Sequence, residues 1–273
     1  MTKILFLVYL FLGISLVQAQ NSSNQSADRV SAAEADDPSR YLTRVELLNE
    51  LQHFKYFVPL NQNNVYLNET TFRTIVKIGD KFTTRLDIPF LYNSYSSPNG
   101  LKQFGISDIS FRLLGYKFLD SPKNALTASI EVSLNTANSP LLGTGKNILN
   151  PVISYTATLE KGVFLIFIFQ EPFSFSGNKA RPNISYSELQ VAFLYTWSKT
   201  LWSYIGPELY IDYVNGGASM NVEARVAFNL RPRINLYAQT GVGVFGDFIE
   251  RYQWEAEIGC RYFMFRKMHE NKN

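Results

Sequence analysis

The chain has 273 residues, with 26 Lys and Arg against 23 Asp and Glu, a formal net charge of +3. So balanced a charge, without a basic cluster, excludes nucleic acid as a partner, and the single cysteine, Cys260, excludes an intrachain disulfide or a thiolate metal site. Tyr and Phe are abundant, at 16 and 21 residues, which suits a chain with aromatic girdles at two membrane interfaces.

The first segment reads as a secretory signal peptide over residues 1–19. Lys3 supplies the positive start, residues 4–16 are an apolar run, and Val17-Gln18-Ala19 fits the small-residue cleavage pattern. The run is short for a spanning helix, and no cysteine follows to carry a lipid anchor. Residues 20–38 are Ser-, Asn-, Ala- and Asp-rich, a disordered leader by composition. Pro38-Ser39 then predicts a short amphipathic helix reaching to about residue 52, with Tyr41, Val45, Leu48 and Leu51 on one face, at the rim or in the mouth of the fold.

From residue 53 to 265 the period is two. Phe54, Tyr56, Val58 and Leu60 alternate up to the turn at residues 61–64. Phe72, Thr74, Val76 and Ile78 oppose Thr71, Arg73, Ile75 and Lys77, and Gly79-Asp80 closes a hairpin. Thr84, Leu86, Ile88 and Phe90 oppose Thr83, Arg85 and Asp87, followed by a longer loop over 93–103. The same two-sided pattern recurs at 109–116, 126–135 and 153–160, with a loop at 137–150 that carries Gly143-Thr144-Gly145. Residues 163–175 are apolar on both faces and give no parity. Leu189, Val191, Phe193, Tyr195 and Trp197 oppose Glu188 and Gln190, and alternation continues through 201–213, 222–229 and 234–245.

The last strand, residues 252–265, is the cleanest. Trp254, Ala256, Ile258, Cys260, Tyr262 and Met264 face away from Gln253, Glu255, Glu257, Gly259 and Arg261. Side chains of a strand point alternately to opposite faces, so one face is apolar and the other charged, as in a wall between lipid and water. By the same parity Cys260 is a small hydrophobe on the apolar face. About twelve strands result, and tight turns alternate with longer connections, as short periplasmic turns alternate with external loops. No apolar stretch of spanning length follows the signal peptide, so membrane insertion must use strands. The expected fold is all-β: a transmembrane antiparallel up-and-down β-barrel of about twelve strands with a short N-terminal helix. It would sit in a bacterial outer membrane, with residues 266–273 as a periplasmic tail. Its expected partners are outer-membrane lipids, a small-molecule solute and, during biogenesis, the barrel assembly machinery.

Parity places Arg73, Lys77, Arg85, Arg112, Arg225 and Arg261 in the lumen, with Asp87, Asp108, Glu131, Glu188, Glu208, Asp212, Glu223, Glu255 and Glu257. Each suits an ion pair between adjacent strands; as a set they suit a pore lining. No cofactor is expected. Only His53 and His269 are present, neither beside a serine in the arrangement an outer-membrane acyl hydrolase needs, so no catalytic residue is assigned.

At Gly105-Ile106-Ser107-Asp108-Ile109 the chain resembles the outer-membrane transporter family of the phenol-degradation MetA-pathway type, whose Gly-x-Gly-Asp-hydrophobic motif enters a strand. Here Ser107 replaces the second glycine, and Leu134-Asn135-Thr136-Ala137, Gly143-Thr144-Gly145 and Asn150-Pro151 follow in the family's order. The resemblance covers residues 70–265 as a series of short elements. It implies an outer-membrane barrel that transports small, often hydrophobic compounds, and it supplies no catalytic residues. The expected activity is therefore passive transport through a charge-lined lumen, gated or narrowed by the loops after Tyr92 and Thr136. A structural or adhesive barrel with a closed lumen is the alternative, and a lipid-modifying barrel enzyme the third.

Overall fold

Alternating side chains make a wall whose two faces meet different solvents. The computed structural model describes residues 42–57, 62–95, 102–246 and 252–264. Its strands are β1 (Arg44–Phe57), β2 (Gln62–Ile78), β3 (Phe82–Tyr95), β4 (Gln103–Ile106), β5 (Ser110–Asp120), β6 (Asn124–Ser133) and β7 (Lys146–Glu160). They continue with β8 (Val163–Gln170), β9 (Phe173–Gly177), β10 (Tyr186–Thr196), β11 (Leu201–Asp212), β12 (Ala218–Arg231), β13 (Ile234–Phe245) and β14 (Trp254–Phe263).

All pairings are antiparallel. β5 takes the inner part of the β3 edge, at Phe82–Asp87, and β4 the outer part, at Phe90–Asn93. β8 and β9 divide the β7 edge in the same way. Each of these couples is one interrupted wall strand, so the sheet is a closed barrel of twelve strands, sealed where β1 pairs with β14 on one side and β2 on the other. Pro151 sits opposite the break between β8 and β9, where its missing N–H costs no pairing on that edge, and its carbonyl accepts Glu171 N at 3.1 Å.

The connections over 79–81, 121–123, 161–162, 197–200 and 232–233 are tight, and all lie at the end where β1 begins and β14 finishes. That end is periplasmic by the usual asymmetry of such barrels. Gly162, with φ +83°, makes the two-residue turn into β8 that an L side chain would strain.

The outer face is apolar. Ile258 is 63 % exposed and Trp197 64 %, whereas the neighbouring inward Arg261 is 4 % exposed. With no water to solvate it, such a surface belongs in lipid. Inside, apolar residues form an arc along half the wall near the periplasmic end, from Leu48 and Phe263 through Tyr237 and Trp202 to Leu194 and Ile166. A second apolar group, Phe54, Val65, Leu67, Leu91, Leu142 and Tyr252, lies near the outer end.

One expectation changes, and one segment without parity gains it. Residues 44–52, expected within the amphipathic helix, form most of β1, with Glu46, Leu48 and Glu50 inward and Leu47 and Asn49 outward. The i, i+3 spacing of Val45, Leu48 and Leu51 is coincidental, and pairing to both β2 and β14 overrides it. The closing seam is accordingly Arg44–His53 against Trp254–Phe263. The unread segment 163–175 is two strands, and Ile166, Ile168 and Gln170 face the lumen. The signal peptide, the leader, Tyr41, residues 58–60 and 265–273, and His269 lie outside the described residues.

Candidate functional site: the charged lumen

Two belts of charge occupy the interior. The first lies toward the periplasm and is built from β1, β2, β3, β5, β6 and β14. Glu46, 2 % exposed, accepts from Arg44 and has Arg261 at 3.5 Å and Arg73 at 3.7 Å. Arg73 reaches across to Asp87 with two bonds, Nε at 2.8 Å and Nη2 at 3.1 Å, the fork geometry that suits a carboxylate. Arg85 pairs with Asp87 at 3.1 Å and with Glu131 at 2.8 Å, and Arg112 holds the other oxygen of Glu131 at 2.8 Å. Pairing of this density compensates charges withdrawn from water.

The second belt lies outward of the first and is acidic. Glu69, Glu50 and Glu257 stand side by side on β2, β1 and β14, each in register with the next. Glu255 accepts from Gln239 at 2.8 Å, and Glu223 accepts from Tyr252 at 2.6 Å and Gln239 at 3.0 Å. Glu208 accepts from Gln190 and, at 2.6 Å, from Tyr210. Arg225 enters this belt from β12. It donates to Gln239 at 2.8 Å, lies 3.9 Å from Glu257, and stacks 4.5 Å from the centre of the Tyr237 ring, while Arg261 covers that ring at 4.2 Å. On β1, β2, β12 and β14 the order is the same: arginine nearer the periplasm, the unpaired or neutrally bonded glutamate nearer the outside.

Asp108 has a different task. It accepts Thr144 N at 2.7 Å, Thr144 Oγ1 at 2.8 Å, and the amides of Thr136 and Ala137 at 3.2 Å each. It thereby folds the loop after β6 inward, and Leu142 from that loop, 1 % exposed, joins the outer apolar group. Asn93 Nδ2 donates to Leu141 O, and the Arg181 guanidinium donates to Pro140 O from the next outer loop.

Three cavities lie among these groups and the described residues around them. The central one, 540 Å³, is lined from both sides of the ring, by Glu50 and Glu69 as well as Ile166 and Gln190. A 290 Å³ cavity beneath the inward loop shares Glu69, Thr71 and Arg73 with it. A 360 Å³ cavity shares Ser110, Ser133 and Thr144 with the second and Tyr186 with the central one.

Of the charges placed inward by parity, Arg73, Glu188, Glu208, Glu223, Arg225, Glu257 and Arg261 line the central cavity. Asp87 and Asp108 line the second and Glu131 the third. Arg85, Arg112 and Glu255 are held in the ion-paired and hydrogen-bonded wall. Lys77 lies at the periplasmic rim, 3.5 Å from Asp80, and Asp212 caps the outer turn by accepting Val214 N at 2.7 Å and Asn215 N at 2.9 Å. Arg44, Glu46, Glu50 and Glu69 also line the central cavity and were not among the expected charges. The first three were obscured by the helical reading; Glu69 shares the parity of Thr71 and Arg73. His53 sits against Tyr66 at 4.6 Å and Trp254 at 5.8 Å, and its buried Nδ1 has no hydrogen-bond partner, unlike a histidine that activates a hydroxyl. Among the described residues no group of three or more His, Cys, Asp or Glu is placed to hold a metal ion.

A closed antiparallel wall, apolar outside and charged inside, defines an outer-membrane β-barrel. Solved structures agree with that architecture. The chain is similar to the COG4313 outer membrane channel from Pseudomonas putida F1, with TM-score 0.67 and 12 % identity over 90 % of this chain and 100 % of that one. It is similar also to the NanC porin, with TM-score 0.57 and 8 % identity over 81 % and 100 % of the two chains. The KdgM porin follows, with TM-score 0.53 and 10 % identity over 81 % and 99 %. At such identities the likeness is one of fold. No protein-family model matches the sequence, and no curated protein is significantly similar to it.

Proposed function

We propose that the protein is a passive outer-membrane channel for small molecules, hydrophobic ones among them. The observation that carries this reading is the central cavity, which reaches from the β1–β2 wall to β8, six strands away in a ring of twelve, and shares walls with two outer cavities. The fold it shares with proteins described as a channel and as porins supports the same reading. The resemblance to the MetA-pathway family is the basis for including hydrophobic solutes. Solutes diffuse along the charged wall, and the loop held by Asp108 narrows the outer mouth. The mechanism needs no chemical step, and no residue is assigned one.

Single-channel recording in planar lipid bilayers and swelling of liposomes in neutral solutes test it. Discrete conductance steps with solute-dependent swelling are expected. Neither conductance nor flux would instead leave a closed barrel that works through its outer loops. One observation favours that second reading: the apolar group of Phe54, Leu67, Leu91, Leu142 and Tyr252 packed across the outer end.

A further inference from the structure

Each arginine of the lumen has a carboxylate beside it; part of the acid has no cation. Arg44, Arg73, Arg85, Arg112, Arg225 and Arg261 each have a carboxylate oxygen within 4.0 Å. Among the described residues, Glu50, Glu69, Glu223 and Glu255 have no arginine or lysine nitrogen within that distance. Neutral groups such as Gln52, Thr71, Tyr252 and Gln239 donate to them, and Glu50 and Glu255 lie within hydrogen-bonding reach of each other. Glu50 moreover stands in register with Glu69 on one side and Glu257 on the other, an arrangement of like charges that destabilises a sheet. The central cavity is lined by four arginines and seven glutamates, a formal net charge of −3 with every group ionised.

A second observation points the same way. Asn93, 1 % exposed, lines the cavity beneath the inward loop together with Glu69. Its Nδ2 is used by Leu141 O, and no donor faces its Oδ1. A buried acceptor without a donor is costly, and beside an acid without a counter-charge it calls for a positively charged donor.

We propose that the outer half of the lumen is a cation path, running from Asn93 and Glu69 past Glu50 and Glu257 to Glu255 and Glu223, and that the channel passes small monovalent cations and primary ammonium compounds in preference to anions. This rests on the channel reading above. Rings of carboxylates select cations in pores because mobile cations supply the missing counter-charge, and conduction also requires that each site bind weakly enough to release. No three of these acids converge on one metal-holding point, so the cation is shared along the row rather than trapped.

The test is the reversal potential of the full-length protein in planar bilayers under a KCl gradient, repeated with methylammonium chloride. The expected permeability ratio of K+ over Cl− is about three or more, falling toward one in a Glu50→Gln/Glu69→Gln/Glu255→Gln variant and less steeply in Asn93→Leu. Migration on a gel before and after boiling shows that each variant is folded. A preference for Cl−, or a K+ preference that both variants leave unchanged, overturns the cation path and leaves the channel standing. Absence of any current from the unmodified protein removes both.

Discussion

Two glutamates four residues apart on β1, both directed into the lumen, are expected to respond in opposite directions to the same substitution. Glu46 is 2 % exposed and is the shared counter-ion of Arg44, Arg261 and Arg73. Glu46→Gln keeps the volume and removes the charge, which leaves three guanidiniums facing one another. Breaking a buried pair by removing one partner costs roughly 3–5 kcal/mol. The lower part of that range applies here, because Arg73 keeps Asp87 and Arg261 keeps its stack on Tyr237. Glu50→Gln removes a charge that stands between two others of the same sign. Each like-charge neighbour relieved stabilises by about 0.2–1 kcal/mol, so a gain on the order of 1 kcal/mol is expected. Urea unfolding of the vesicle-embedded barrel, followed by tryptophan fluorescence and by the boiling-dependent gel shift, gives both midpoints. Equal destabilisation by the two substitutions, or a neutral Glu46→Gln, would refute the division of the lumen into a paired belt and an unpaired one.

Gly259→Ala places a Cβ 2.2 Å from the Tyr237 ring, which Arg225 and Arg261 clamp in place, so about 1–3 kcal/mol should be lost in the same unfolding assay. Ile258→Arg, one residue earlier but facing lipid, should cost about 2–4 kcal/mol if the site lies near the bilayer midplane. Its insertion without loss would mean that the strand faces have been exchanged. Asp108→Ala removes the acceptor of four hydrogen bonds from the loop after β6. Protease added outside sealed vesicles should then cut that loop at least several-fold faster while the barrel's unfolding midpoint moves little; an unchanged cleavage rate would mean that the loop is held elsewhere.

The wall was legible where one face is apolar and the other charged, as in the last strand, because a period of two survives any choice of neighbour. Turn chemistry was legible too: Gly79-Asp80 closes the hairpin between β2 and β3, as its composition indicates. β1 was misread because its inward face mixes Leu48 with Glu46 and Glu50, so alternation is weak and the accidental helical spacing of Val45, Leu48 and Leu51 is stronger. The pairings that decide its state lie some 20 and 200 residues away, at Thr71 and Gly259, and a local pattern does not contain them. Segment 163–175 was opaque for a related reason: its inward Ile166 and Ile168 join an apolar arc inside the barrel, so both faces of the strand are apolar. Asp108 could be assigned to the inner side but not to its role as loop anchor, since Thr136 and Thr144 become its partners only when the loop turns inward.

The order of charge along β1, β2, β12 and β14 gives the lumen an electrical direction. Toward the periplasm, five arginines face Glu46, Asp87 and Glu131; toward the outside, the glutamates outnumber Arg225. A conduit whose fixed charge changes sign once along its length behaves as a diode. When the external solution is positive, cations entering the acidic half and anions entering the basic half meet at the junction and the conduit fills with carriers. With the opposite polarity both are drawn away and it empties. The current–voltage curve of this barrel is therefore expected to be asymmetric, steeper with the outside positive, and the asymmetry reports which way round each molecule sits in the membrane.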